Sequence, residues 1–152
     1  MNKWLGLGGA LVAVLITAWF VWPVEVEKTG DAARIRQADC NPVGHPCQVR
    51  LGDVILTLTL PAKVRAMQAF DMELRVQGVD PVEHAVIEMN MAEMDMGRNR
   101  FVLKPTPGQG KTWRGTAMLP ACMSGRSDWL AEVTVVSGKR QYQARFSFAL
   151  EP

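Results

Sequence analysis

The chain has 152 residues, which is room for one domain of ordinary size and an appendage and excludes two enzymatic domains. Seventeen Lys and Arg stand against 15 Asp and Glu, and this near balance excludes a dedicated nucleic-acid-binding protein, whose phosphate contacts need a clear basic excess. With 48% hydrophobic residues the chain is too apolar to be disordered, and its nine Met residues are the unusual feature of its composition.

An uncharged segment near the amino terminus, Leu5–Trp22, would span about 27 Å as a helix, close to a bilayer hydrocarbon core of about 30 Å. Lys3 precedes this segment, and Glu25 and Glu27 follow it, so the positive-inside rule keeps the amino terminus in the cytoplasm. Because no A-x-A cleavage pattern ends the segment, we expect residues 1–23 to remain as a single-pass anchor in the lipid of the inner (cytoplasmic) membrane. A cleaved signal peptide is the alternative.

The residues after this segment divide into a linker and a domain. Residues 24–39 are polar and weakly patterned, as in a linker. Residues 40–152 show short apolar alternations separated by Gly and Pro, which predict an all-β domain in the periplasm. Seven strands in about a hundred residues favour an immunoglobulin-like β-sandwich. The predicted strands cover residues 53–60, 70–76, 84–91, 100–104, 112–119, 129–136 and 141–150.

All three cysteines, Cys40, Cys47 and Cys122, lie in the part expected to be exported, where an oxidising compartment favours disulfides. The turn-rich segment between Cys40 and Cys47 favours a bridge between these two, and the rival is a bridge from either of them to Cys122. Either pairing leaves one thiol, which is expected to be reactive, metal-binding, or buried and inert.

Four methionines fall within eight residues, at Met89, Met91, Met94 and Met96. A thioether is soft and uncharged at every pH, so clustered Met favours Cu(I) over hard cations and needs no deprotonation. On a regular strand the first two side chains point to one face and the last two to the other, so a bulge or turn near residues 92–93 must bring them together. Core packing and a Met-lined partner surface are the alternative interpretations.

The expected ligand set therefore has a primary, a supplementary and a completing part. It comprises Met91, Met94 and Met96 as primary thioethers, Met89 as a supplement, and Cys122 or His84 as the completing ligand. No nucleophile elbow, phosphate-binding glycine loop or credible catalytic triad occurs in the sequence, so we expect a protein that is not an enzyme.

One amino-terminal span, a compact β-sandwich and the segment Met91–Gly97 (MAEMDMG) form a layout that resembles the FixH and YtkA-like group of membrane-anchored exported proteins. The resemblance implies copper delivery or assembly of haem-copper oxidases, with Cu(I) as the bound ion and a membrane complex such as an oxidase as partner. The chain departs from the group at Arg98–Arg100, where a His usually follows the Met and Gly motif, and in having three cysteines. A metal-free interaction module that docks onto a membrane complex is the alternative function.

Overall fold

The computed structural model describes residues 35–91, 94, 97 and 99–151. The anchor expected at residues 1–23, most of the expected linker, and Met96 lie outside the described residues. Within the part of the chain that is described, no helix has the length and apolar character needed to cross a membrane.

The described residues form ten strands in two five-stranded sheets. The sheet orders are β1-β10-β9-β5-β6 and β2-β3-β4-β8-β7, and all pairs are antiparallel except β1 with β10. The strands are β1 (Arg36–Gln37), β2 (Cys47–Leu51), β3 (Val54–Thr59), β4 (Ala69–Gln77), β5 (His84–Met91), β6 (Arg100–Val102), β7 (Lys104–Pro105), β8 (Thr112–Met118), β9 (Asp128–Ser137) and β10 (Arg140–Ala149).

The prediction of an all-β sandwich is confirmed, and each of the seven predicted strands has a counterpart, but the strand count of seven was too low. β1 lies inside the range expected to be linker, and β2 begins at Cys47, before the first predicted strand. The predicted strand 100–104 divides at Leu103, whose N–H donates to the Ala85 carbonyl of one sheet at 2.9 Å, whereas Lys104 pairs with Arg114 of the other. The chain therefore changes sheets at this residue without breaking the apolar alternation.

The core lies between the two sheets and follows from the period-two alternation of the strands. β4 shows the pattern most clearly, because Phe70, Met72, Leu74 and Val76 are all buried while the residues between them point outward. Complete burial of such a side chain stabilises the fold by roughly 1.5–3 kcal/mol. Trp113 and Trp129 are both buried in this core.

Candidate metal site

Several strands bring sulfur-containing residues to one end of the sandwich. Met91, the last residue of β5, pairs with Trp129 near the start of β9. The loop 119–127 leads from Met118, the last residue of β8, to β9. We call this part of the molecule the methionine end and define it by Met91, Met94, Met118, Cys122 and Met123.

The backbone of Met94 forms an isolated antiparallel bridge with Met91, so Met94 lies against the end of β5. The two side chains differ in exposure, since Met91 is only 3% exposed and Met94 is half-buried. Met91 and Trp129 are cross-strand neighbours that are both buried, so they share the inner face of the sheet. Met94 is therefore the thioether of this pair that reaches the surface.

Cys122 lies in a tight turn of the loop between β8 and β9. The Gly125 N–H donates to the Cys122 carbonyl at 3.1 Å, and Gly125 has a φ of +73°, a conformation that glycine adopts without strain. This turn holds the Cys122 Sγ 3.9 Å from the Met94 Sδ. We call Met94 and Cys122 the sulfur pair.

Ser124 completes the surroundings of the sulfur pair. Its hydroxyl oxygen lies 2.9 Å from the Cys122 Sγ and 3.8 Å from the Met94 Sδ. Three polarisable or polar atoms from two separate segments thus meet at a half-buried position that solvent reaches. Ser124 was not in the expected ligand set, and its position two residues after Cys122 was the one sequence signal for this contact.

The surroundings of Cys122 lower the pKa of its thiol. The largest cause is the hydrogen bond from the Ser124 hydroxyl, followed by a backbone hydrogen bond at Ser124, while partial desolvation opposes the shift. A backbone hydrogen bond at Arg126 and the charge of its side chain lower the pKa further. Because the thiolate is the form that binds metals, these contacts raise the fraction of Cys122 that can act as a ligand near neutral pH.

Two further residues of the expected ligand set, Met89 and His84, lie away from the sulfur pair. Met89 is 0% exposed, within the core. His84 is exposed at the opposite end of β5, five residues before Met89, which corresponds to roughly 17 Å along a strand. Met96 lies outside the described residues. Among the residues that the structure describes, no group of three or more His, Cys, Asp and Glu converges as a cation site.

The disulfide prediction is confirmed. Cys40 and Cys47 form a bridge with their Cα atoms 5.6 Å apart, and Cys122 is the free cysteine. Cys47 is buried at the start of β2, whereas Cys40 and the intervening His45 are exposed. The bridge therefore joins an exposed loop to the core, and it leaves Cys122 as a thiol beside Met94.

No protein family matches the sequence, and no curated protein matches it. Among solved structures the chain is similar to the crystal structure of the human F-spondin reeler domain (fragment 1), with 6% sequence identity and a TM-score of 0.43. The aligned region covers 63% of this chain and 89% of that chain. The chemistry of the methionine end is therefore the basis for assigning a function.

Proposed function

We propose that the chain is a non-enzymatic copper-handling protein that binds Cu(I) between the two sulfur atoms of the sulfur pair. The observation that carries the proposal is the 3.9 Å separation of the Cys122 Sγ and the Met94 Sδ at a position open to solvent. A thiolate and a thioether are both soft donors, and soft donors select Cu(I) over the hard cations Mg²⁺ and Ca²⁺.

The separation of the two sulfur atoms suits a shared metal ion. With metal–sulfur bonds of about 2.3 Å, as in zinc–thiolate sites, two sulfur atoms at this distance subtend an angle close to the roughly 120° of three-coordinate geometry. The arrangement therefore leaves one coordination position for a third ligand. Met91 is the thioether whose backbone bridges to Met94, and Met96 and Met123 are the other thioethers close in sequence to the sulfur pair.

The mixed donor set suits transfer of the ion rather than permanent storage. The Cys122 thiolate supplies the negative charge that neutralises Cu(I), and Ser124 favours this charged form by hydrogen bonding. Met94 supplies a neutral ligand that does not compete with protons. Both side chains are half-buried, so an acceptor protein can reach the ion directly.

The proposal places the protein in the inner membrane as a single-pass protein, with residues 1–23 as anchor, residues 24–39 as linker and an immunoglobulin-like sandwich in the periplasm. The Cys40–Cys47 disulfide supports an oxidising compartment. The layout that resembles the FixH and YtkA-like group supports delivery of copper to a membrane complex such as a haem-copper oxidase. The sulfur pair is the feature of this chain that such a delivery would use.

The decisive experiment is a Cu(I) titration of the full-length chain in detergent micelles against a competing chelator, with a reductant that is not a thiol so that the disulfide stays intact. We expect the tightest site to lose at least roughly 10-fold in affinity in Met94→Leu and in Cys122→Ser, because each removes a ligand and loss of even a residue that hydrogen-bonds a ligand costs about 10- to 100-fold. Met89→Leu and His84→Gln are matched controls, and neither is expected to change the affinity.

Thermal unfolding of each variant shows whether the fold is retained. If Met94→Leu and Cys122→Ser fold normally and bind Cu(I) as tightly as the natural chain, the sulfur pair is not the site and the proposal is wrong. If the natural chain takes up no Cu(I) at all, the metal-free interaction module is the better interpretation.

A further inference from the structure

Methionine dominates the exposed large apolar side chains of the described residues. Of the five such side chains, three are methionines: Met67 is 64% exposed, Met118 is 54% exposed and Met123 is fully exposed. Met118 and Met123 belong to the methionine end, and Met67 lies beside Met118, as the backbone hydrogen bonds show. Thioethers are therefore presented to solvent outside the sulfur pair as well as within it.

Backbone contacts make Met67 and Met118 neighbours. The Met67 N–H donates to the Leu119 carbonyl at 2.8 Å, and Ala69 pairs with Met118 across β4 and β8. Paired residues of antiparallel strands have Cα atoms about 4.5–5.5 Å apart, and Met67 lies two residues before Ala69, the member of this pair on β4. Met118 points to solvent because it alternates with two buried residues, Ala117 and Leu119. Two long, flexible thioether side chains, both exposed, thus start from neighbouring parts of the backbone.

Met67 also has an unusual backbone conformation. Its φ is +59°, in the left-handed region that glycine and asparagine favour and that strains other residues. Burial cannot account for a methionine at this position, since the side chain is mostly exposed. A residue that is favoured by neither the local backbone nor packing points to a role for its sulfur atom.

We propose that Met67 and Met118 form a second soft-metal site, which takes up Cu(I) at the surface before the ion reaches the sulfur pair. This inference rests on the proposed function for its place in copper transfer, although binding at the second site can be measured separately. Because both ligands are neutral thioethers, the second site is weaker than the sulfur pair and its affinity does not change with pH. Transfer between the sites exchanges ligands on the ion and leaves its oxidation state at Cu(I).

The test is a titration of the full-length chain, labelled with ¹³C at the methionine methyl groups, with Ag(I) as a soft monovalent probe that is not oxidised. We expect the Met94 methyl resonance to shift with the first equivalent. The Met67 and Met118 resonances should then shift together with the second equivalent. Met72, which is buried in the core, is the matched control and should not shift. Unchanged Met67 and Met118 resonances up to two equivalents would overturn the second site.

Two variants separate this inference from the proposed function. Met67→Leu combined with Met118→Leu should reduce Ag(I) uptake from two equivalents to one and leave the tighter site intact. Cys122→Ser should weaken the tighter site and leave the joint shift of Met67 and Met118 in place. In the natural chain, a joint shift of Met67 and Met118 without any shift of Met94 would refute only the sulfur pair, and a shift of Met94 without any shift of Met67 and Met118 would refute only the second site.

A further variant, Met67→Gly, tests whether loss of the second equivalent comes from the missing sulfur atom or from a disturbed backbone. Glycine relieves the backbone strain at this position, so the variant should unfold at a higher temperature than Met67→Leu while losing the second equivalent just as that variant does. Retention of the second equivalent in Met67→Gly would show that the Met67 sulfur is not a ligand.

Discussion

Gly78 lies against the backbone carbonyl of Asp53 so closely that a Cβ at position 78 would overlap the carbonyl oxygen. Gly78 directly follows β4, and Asp53 belongs to the turn between β2 and β3. The contact therefore fixes how the β2–β3 turn sits beside the end of the adjacent strand. Backbone atoms on the Asp53 side cannot move aside as a flexible side chain could.

Gly78→Ala should destabilise the domain by about 3 kcal/mol, because it combines the strain of a left-handed residue with overpacking against backbone. Gly138→Ala is the matched control: Gly138 also has a positive φ, of +57°, but no neighbouring atom lies within 4 Å of the added Cβ. It should cost only about 1 kcal/mol. Urea unfolding of both variants measures the difference, and equal losses would show that the Asp53 contact does not matter.

The reactivity of Cys122 should depend on pH with a midpoint below that of an ordinary thiol, because its surroundings lower its pKa. The Ser124 hydroxyl is the largest cause of the lowered pKa of Cys122, so Ser124→Ala should move this midpoint to higher pH. The measurement is the rate of alkylation by iodoacetamide as a function of pH under non-reducing conditions. A midpoint that does not move in Ser124→Ala would contradict the assigned role of the hydroxyl.

Copper affinity should depend on pH through the same thiol. Below the pKa of Cys122 the metal displaces a proton, so Cu(I) affinity should rise about tenfold per pH unit and level off above that pKa. Cys122→Met keeps a sulfur ligand but has no proton to lose, so its affinity should be independent of pH. Chelator competition at several pH values around neutrality measures the Cu(I) affinity of the natural chain and of Cys122→Met. An affinity that changes with pH in Cys122→Met would point to another titrating ligand.

Removal of the disulfide should destabilise the domain without unfolding it. Closure of the short loop between Cys40 and Cys47 stabilises the fold by about 2.5 kcal/mol in the chain-entropy account. Cys40→Ala combined with Cys47→Ala should lower the urea midpoint of unfolding accordingly. The reduced natural chain is the control, because it lacks the bridge but keeps the buried Cys47 side chain. If reduction leaves the midpoint unchanged, the bridge does not contribute through loop closure.

The sequence predicted the strands well because alternation is a local signal. Residues such as Phe70 and Leu74 repeat with period two, and they are buried as expected. The change of sheet at Leu103 escaped prediction because alternation continues through it, so only the pairing partners, Ala85 before and Arg114 after, distinguish one sheet from the other. β1 was missed because two exposed residues carry no apolar pattern.

The candidate site was less predictable than the fold. Met94 and Cys122 are 28 residues apart, and no local pattern encodes their contact, so Cys122 entered the expected ligand set only as one of two completing residues. His84 was grouped with the methionines because it is near them in sequence, but the extended backbone of β5 separates it from the sulfur pair. Met67 had no sequence signal, because its position follows from strand pairing and its backbone strain from the surrounding turn.

The disulfide and β1 together determine how the described domain responds to a pulling force on its amino-terminal side. Two residue pairs, the Ala38 N–H bonded to the Arg145 carbonyl and the Gln37 side chain bonded to Ser147 hold this segment to β10, and so short a strand detaches first under tension. The five residues from Arg36 to Cys40 can then span at most roughly 17 Å, given about 3.4 Å per residue. Beyond that point the covalent bridge carries the load past the loop and directly to Cys47 at the start of β2. The extension of this segment is thus limited, and further stretching must break the sheet itself.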